Sequence, residues 1–425
     1  MKITEENRKL LFGLYPPKSF ANGKFHKISA FSNMGIVDTK EGLVLFDISS
    51  KLNGPRVFKA LREITEKPIK YIIFSHGHFD HCFGFSPFIE EIEKKRWEMP
   101  RVIAHENLLN RFEKYRMLDK YLNWLHDQQF GSVLGKNKQY NSAHETLNPT
   151  ILLRGNENYT FKLGEYTFEL YHGKGETDDQ IWMFVPEEKV LFTGDFIISV
   201  FPNIGNPYKV QRYPKDWAQA LEKMIEKEPE YLIPGQGPLI EGKAKIKEIL
   251  SITADVLNFV HDEVVKRLNE GKWFEQIYYE MLEIFPEKYN RKILAQVYGC
   301  YRFAIHAVYR LYHGWYDTGN PTDLFPAKKS EIANEFLKIC DSENYYIRAK
   351  KLFEEGRMQL ALHIIDVIIN TTEKISPELL INAYKLKIQI LKQIEETEPS
   401  FIASNIYLNE VHKLESKLKN SVSSK

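Results

Sequence analysis

The stretch Tyr71-Ile72-Ile73-Phe74-Ser75-His76-Gly77-His78-Phe79-Asp80-His81 decides how the rest of this sequence is read. Its first four residues have the β-branched and aromatic content of a buried strand, and Ser75-His76-Gly77 breaks the run. Four side chains with metal-ligand chemistry then follow within six residues. A strand ending at Phe74 delivers them onto a tight loop. There His76 and His78 can face one metal ion while Asp80 and His81 turn toward a second, about 3.5–4 Å away. Polar loop residues that merely satisfy one another are the plainer reading. H-x-H-x-D-H directly after a buried strand is far more specific than a lone histidine, and it favours the metal.

Working outward, short β-type runs flank the loop: Gly42–Phe46 before it, and Tyr159–Phe161, Tyr166–Phe168 and Val190–Phe192 after it. Asn156-Glu157-Asn158 and Leu163-Gly164-Glu165 read as hairpin corners. Arg56–Glu66 and Lys215–Glu228 carry helical periodicity, the second with Trp217, Leu221, Met224 and Ile225 on one face. From about Phe25 to Ile233 the chain is therefore mixed α/β. Beyond Gly242 helices dominate. Lys243–Glu270 is one long amphipathic pattern stopped by Gly271, and Arg291–Tyr312, Ile332–Lys338, Tyr346–Glu355, Met358–Ile369, Pro377–Gln393 and Ile402–Leu418 follow. Ala349, Leu352, Gly356, Leu360, Ala361 and Ile364 have the small-residue spacing of a helical-hairpin repeat. The expected division is an α/β domain over residues 1–242 and an all-helical domain over 243–420, with Ser421–Lys425 as a disordered tail.

Composition narrows the setting. Among 425 residues, 43% are hydrophobic and 27% charged, the balance of a globular chain. Lys and Arg number 58 against 57 Asp and Glu, so no global field recruits nucleic acid or an anionic membrane. No window approaches the ~18 uninterrupted apolar residues of a membrane span. Cys82, Cys300 and Cys340 form no C-x-x-C pair, which fits a reducing compartment, and Met1–Phe12 lacks the apolar core of a secretion signal. The sequence reads as cytoplasmic.

The loop and its surroundings resemble the metallo-β-lactamase superfamily. Asn33-Met34-Gly35 and Gly42–Asp47 match that fold's opening hairpin. Gly173-Lys174-Gly175-Glu176-Thr177, Val190–Asp195 and Ile233-Pro234-Gly235-Gln236-Gly237 repeat the order of its later metal-binding segments. The resemblance implies an αβ/βα sandwich holding two divalent ions, zinc first with iron or manganese as alternatives. The ligands would be His76, His78, Asp80, His81, Glu176, Asp195 and Gln236, with Asp195 bridging. Glu176 and Gln236 stand where most members place histidines. As ligands they would leave three anionic donors, Asp80, Glu176 and Asp195, weakening the ions as Lewis acids and tilting selectivity away from zinc. Two alternatives stay open: that Gln236 is no ligand and the second ion is weak or absent, and that His172 substitutes.

Further on, Val308–Pro321 looks like the signature of the alkyl sulfatase dimerisation domain, preceded by His261-Asp262-Glu263 and Arg267–Gly271. Those sulfatases also place a glutamate where Glu176 stands, but keep a late histidine and a bridging glutamate against Gln236 and Asp195 here. The expected fold is thus the sandwich followed by an all-α domain with TPR-like hairpins, paired into a homodimer. The implied activity is hydrolysis of a small anionic ester by a metal-bound hydroxide, with sulfate esters leading. A phosphodiester, lactone or thioester hydrolase, or a single-metal or metal-free binding scaffold, are the alternatives. Phe201–Arg212 resembles the sulfatase stretch that ends in a sulfate-binding arginine. Arg212 becomes the expected oxyanion clamp, its planar fork suiting a tetrahedral anion, with Asn203 and Tyr208 beside it. Asp80 could also accept a proton. Tyr309, Trp315 and Tyr316 read as core. His105, His126, His144, His261, His306 and His313 lack partner motifs, and nothing marks Cys82 as a nucleophile.

Overall fold

The computed structural model describes Lys9, residues 13–134 and residues 145–423. His144, Met1–Phe12 other than Lys9, and residues 424–425 lie outside the described residues. The strand that feeds the histidine-rich loop is β5 (Ile69–Ile73), inside a seven-stranded sheet ordered β1 (Lys18–Phe20), β2 (Phe25–Ser29), β3 (Asn33–Thr39), β4 (Gly42–Phe46), β5, β6 (Arg101–His105) and β7 (Ile151–Leu153). The first four pair antiparallel, and β4 to β7 run parallel. A six-stranded sheet is ordered β13 (Ile240–Glu241), β12 (Tyr231–Pro234), β11 (Val190–Gly194), β10 (Ile181–Val185), β9 (Tyr166–His172) and β8 (Tyr159–Leu163).

Each sheet is apolar on both faces, and this dictates the layering. Val37, Val44, Phe46 and Ile73 of the first sheet interleave with Phe168, Leu170, Met183 and Phe192 of the second to form the interior between them. The opposite face of the first sheet carries Ile36, Leu45 and Ile72 and is covered by the helices Gly54–Ile64, Ser86–Lys95 and Asn107–Met117 through Val57, Leu61, Phe88 and Phe112. The opposite face of the second carries Trp182, Leu191 and Leu232 and is covered by Pro214–Glu226 through Trp217 and Leu221. Removing one such side chain from water contributes about 1.5–3 kcal/mol. The result is the expected αβ/βα sandwich.

The helices Lys243–Asn269, Phe274–Glu283 and Tyr301–Tyr312 share this last core, through Leu257, Val260, Ile277, Ile305 and Val308. By compactness the chain divides into a unit made of Thr4–Asp127 and Val133–Trp315 and a second whose main segment starts at Tyr316. Secondary structure therefore changes character at Gly242, while packing changes at Tyr316. The second unit contains Lys329–Ile339, Ser342–Glu354, Met358–Asn370, Pro377–Thr397 and Phe401–Ser423, with Ala349, Leu352, Ala361, Ile365, Ala383, Leu391 and Leu414 in its own core. Its hairpins are punctuated as the sequence suggests. Asp341 caps one helix by accepting from Asn344 N at 2.9 Å, Gly356 at φ +74° ends it, and Ser376 with Pro377 starts another.

Three expectations need correction. Arg291–Tyr312 is not one helix: two 3₁₀ turns (Glu287–Tyr289, Lys292–Leu294) lead to an extended crossing, and the α-helix begins at Tyr301. The backbone there serves the loop after β11, since Phe201 N donates to Ala295 O at 3.1 Å and a Cβ on Gly299 would sit 2.8 Å from Pro202 O. Trp315 is 61% exposed rather than core, whereas Tyr309 is fully buried. The last helix runs to Ser423, past the expected start of the tail.

Candidate metal centre

Four loops leave the same edge of the sandwich, and each carries one part of the centre. The loop after β5 brings His76, His78, Asp80 and His81; the loop after β9 brings Glu176; the end of β11 brings Asp195; and the turn after β12 brings Gln236. The close approach of these backbones explains two glycines. A Cβ on Gly235 would lie 2.1 Å from Asp195 Oδ1, and one on Gly194, at φ +50°, would lie 2.6 Å from Ser75 Cβ.

His76, His78, Glu176 and Asp195 each offer one donor atom, and these atoms lie within 4.8 Å of one another. His76 Nε2 is 2.8 Å from His78 Nδ1, 3.9 Å from Glu176 Oε2 and 3.8 Å from Asp195 Oδ2. Burial, with His81 nearby, pulls His76 down to about 3, and burial, with His76 and three cationic side chains, pulls His78 well below the ordinary imidazole value. Both rings are thus held neutral, with His76 Nε2 and His78 Nδ1 turned toward Glu176 Oε2. Glu176 Oε2 is buried and has no hydrogen-bond partner, although Glu176 Oε1 accepts from Asn203 Nδ2 at 3.1 Å and is paired with Arg212 Nη1. A buried carboxylate oxygen left unpaired beside two neutral imidazole nitrogens is costly unless a cation completes it, so the residues present fit a divalent ion.

The second set adjoins the first through Asp195. His81 Nε2 is 3.2 Å from Asp195 Oδ1 and 3.4 Å from Asp80 Oδ2. Gln236 Nε2 is 3.3 Å from Asp80 Oδ2 and 3.5 Å from His81 Nε2. Burial alone would lower His81, but Asp195, Asp80 and Asp47 outweigh it and hold it well above the ordinary value. These groups could hold a second ion, with Asp195 between the two sets.

Several supporting residues have no motif in the sequence. Asp47, at the end of β4 and φ +60°, accepts from Ser75 N at 2.7 Å and Ser75 Oγ at 2.8 Å, and its Oδ2 lies 2.8 Å from His81 Nδ1. That contact fixes the His81 ring and turns its Nε2 toward Asp80 and Asp195. Asp179 accepts from Gly77 N at 2.8 Å and is bound by Arg111, whose charge outweighs burial and lowers the carboxyl's pKa. The available signal for Asp47 was its place directly after a strand parallel to β5. For Asp179 and Arg111, 68 residues apart, there was none.

Arg212 is buried with Glu176 and also lines a cavity of about 450 Å³ that opens from His78 and Glu176. Tyr208 lines the same cavity, and Asn203 is fully buried against Glu176. His172 is not brought to the cluster: its Nε2 lies 3.0 Å from Asp178 O and its ring stacks on His105 at 3.9 Å. Cys82 is buried, donates to His78 O, and has its thiol pushed well up by burial, which disfavours a nucleophilic role.

Comparison with known proteins agrees with this architecture. Residues 30–236 match the family model of the metallo-beta-lactamase superfamily, and residues 275–417 match that of alkyl sulfatase dimerisation. A linear primary-alkylsulfatase of Pseudomonas sp. (strain ATCC 19151) is 25% identical over 332 residues, 74% of this chain and 62% of that protein. The chain thus spans less than two thirds of that relative's length. A metallo-beta-lactamase type 2 of Elizabethkingia meningoseptica is 31% identical over 208 residues, 46% of this chain and 76% of that protein. In structure, the stereoselective inverting sec-alkylsulfatase Pisa1 from Pseudomonas sp. superposes with a TM-score of 0.78 at 18% identity, covering 96% of this chain and 74% of that one. With its strand-fed cluster and matching sandwich, the chain belongs to the metallo-beta-lactamase superfamily and carries a region matching the alkyl sulfatase dimerisation domain.

Proposed function

We propose that the chain is a metal-dependent hydrolase of sulfate esters. His76, His78 and Glu176 would hold one divalent ion, Asp80, His81 and Gln236 a second, and Asp195 would be shared. The observation that carries this reading is the convergence of four donors, three of them buried, from three separate loops with Glu176 Oε2 unpaired. Divalent ions bound there supply Lewis acidity toward an ester oxygen and ease the deprotonation of water. Zinc suits the imidazole-rich first set, and iron or manganese remain compatible with the oxygen donors.

The chain's own residues divide the remaining work. Arg212 and Asn203 hold Glu176 in place, and Arg212 presents its remaining N–H groups to a departing sulfate at the cavity floor. Asp80, 3.4 Å from His81, would take a proton from the attacking water. Leu118, Leu122 and Leu125 in the cavity wall would exclude water and receive the organic part of the ester. Similarity to an alkylsulfatase over 332 residues supports sulfate over other esters. The segment matching alkyl sulfatase dimerisation supports a homodimer. The three cysteines, none of them in a disulfide, support a cytoplasmic setting, and among the described residues no helix is long and apolar enough to cross a membrane.

The test is a screen of metal-reconstituted protein against sulfate, phosphate and carboxylic esters. Sulfate release that disappears in His78→Ala and falls in Arg212→Ala is expected. Turnover of phosphate or carboxylic esters alone would overturn the proposal.

A further inference from the structure

The cavity beside the cluster holds more positive charge than a single sulfate head requires. Four cations line it: Arg111, Lys114, Lys209 and Arg212. Two of them are matched. Arg111 binds Asp178 at 2.7 Å and Asp179 at 3.2 Å, and Arg212 is paired with Glu176. Lys209 differs. It is half-buried, and its ammonium makes no hydrogen bond or ion pair among the described residues. Its position is set by the backbone, because Lys209 N donates to Asn206 O at 3.1 Å and Tyr208 N donates to Asn206 Oδ1 at 2.9 Å, an Asx turn that rigidifies the loop. Burial, then Lys114 and Arg111, push Lys209 down to about 8, with Asp80 opposing, as befits a desolvated ammonium facing other cations. Lys114 adds a second unmatched charge at the exposed rim.

A cation desolvated against like charges is unfavourable until an anion reaches it. The sulfate head of an ester would already be met at the floor, by the cluster and by Arg212. Leu118, Leu122 and Leu125 line the same cavity and offer an apolar surface to the organic part. We propose that Lys209, with Lys114, makes this cavity specific for sulfate esters whose organic part carries a second anionic group, such as a carboxylate, spaced from the sulfate by a short apolar segment. The inference rests on the reading of this cavity as the ester site. It adds a specificity-determining residue and a narrower substrate class.

The experiment separates the two claims by using binding for one and turnover for the other. Calorimetric titration of the metal-loaded protein compares a linear alkanesulfonate with the ω-carboxyalkanesulfonate of the same carbon count; neither is hydrolysed. The wild type should bind the carboxylated ligand roughly tenfold more tightly, and Lys209→Ala should bring the two within about twofold while leaving the plain sulfonate unchanged. Lys209→Arg should keep most of the preference, and metal content measured on each variant shows that the centre is intact. Equal affinity of the wild type for both ligands would overturn the proposal. So would an equal loss for both in Lys209→Ala, which would assign Lys209 to the sulfate head. If the preference holds while no sulfate ester is turned over, the cavity's selectivity stands and the hydrolase reading fails.

Discussion

The two halves of the centre are built on different terms. In the half made by His76, His78 and Glu176, His76 and Glu176 are held from behind and left open in front. Ser75 Oγ lies 3.0 Å from His76 Nδ1, and Arg212 and Asn203 occupy Glu176 Oε1, while His76 Nε2 and His78 Nδ1 lie 2.8 Å apart beside the unpaired Glu176 Oε2. In the half made by Asp80, His81 and Gln236, His81 is held equally well, by Asp47 at 2.8 Å. Its third member, however, points an amide N–H at Asp80, a donor where a ligand needs a lone pair. In the first half Glu176 Oε2 lacks a partner, whereas in the second Asp80 is already met by the Gln236 amide. An ion is therefore expected to be held tightly in the first and loosely in the second.

Asp195 is the residue common to both halves, so removing its charge is the most severe way to break the comparison. Asp195→Asn should release both ions and lower turnover by roughly a thousandfold or more, given that partners one step removed from a metal are worth about 10–100-fold. Elemental analysis beside the ester assay checks this. Full metal content in the variant would mean that Asp195 bridges nothing.

Next in size is Arg212→Gln. Loss of the guanidinium leaves Glu176 Oε1 buried with only Asn203, so affinity for the first ion should fall about 10–100-fold in a chelator competition. Lys at the same position should recover part of it, as a point charge without the fork. If metal affinity is unmoved and only KM rises, Arg212 acts on substrate alone. The pair also answers a concern raised by the sequence. An extra carboxylate among the donors suggests ions weakened as Lewis acids, but Arg212 offsets that charge at the distal oxygen, so Glu176 with Arg212 approaches the net charge of the usual histidine.

That correction shows what the sequence could and could not convey. The ligand loop was legible because its chemistry is contiguous: a strand, a break and four ligands in six residues. Most strands and helices were legible because their periodicity is local, as with Trp217 and Leu221 on Pro214–Glu226. Arg291–Cys300 failed because its apolar spacing fits a helix, while its backbone instead packs along the loop carrying Asn203, a contact made about 95 residues away in sequence. The supports failed for the same reason. Arg212 could be identified as a cation near the site by resemblance, but its partner could not. Asp47 lies 34 residues from His81, and no spacing rule connects them.

A gentler intervention sharpens the comparison from the other side. Gln236→His replaces the amide donor by an imidazole, so the second ion should bind about tenfold more tightly and metal stoichiometry after desalting should move from near one toward two per chain. A wild type that already retains two ions equally well through desalting would remove the asymmetry altogether.

The smallest expected effect concerns the scaffold behind Gln236. Lys27 on β2 is 1% exposed and bonds Ser29 Oγ, which donates to Asn33 Oδ1 at 3.1 Å; Asn33 Nδ2 in turn donates to Pro234 O and Gly237 O on either side of Gln236. Among the described residues no carboxylate pairs with this lysine, and burial, with Lys18 nearby, pushes it from 10.5 down to about 8. Such a shift of a cation below its unfolded value costs stability of about 3 kcal/mol wherever both states are charged, that is below pH 8. Lys27→Met removes this cost and loses one hydrogen bond of about 1 kcal/mol, so the variant should be more stable by about 2 kcal/mol at pH 7 in urea unfolding. The sign of the pH trend follows. Between pH 8 and 10.5 the unfolded chain binds the proton that the folded chain has released, so the wild type gains stability relative to the variant as pH rises. The advantage of Lys27→Met should therefore shrink between pH 8 and 9.5. An advantage that is absent at pH 7 or constant across that window would show that Lys27 has a counter-charge in solution. Metal affinity in the first half should be unchanged, because the Lys27 chain of hydrogen bonds ends at the turn that carries Gln236.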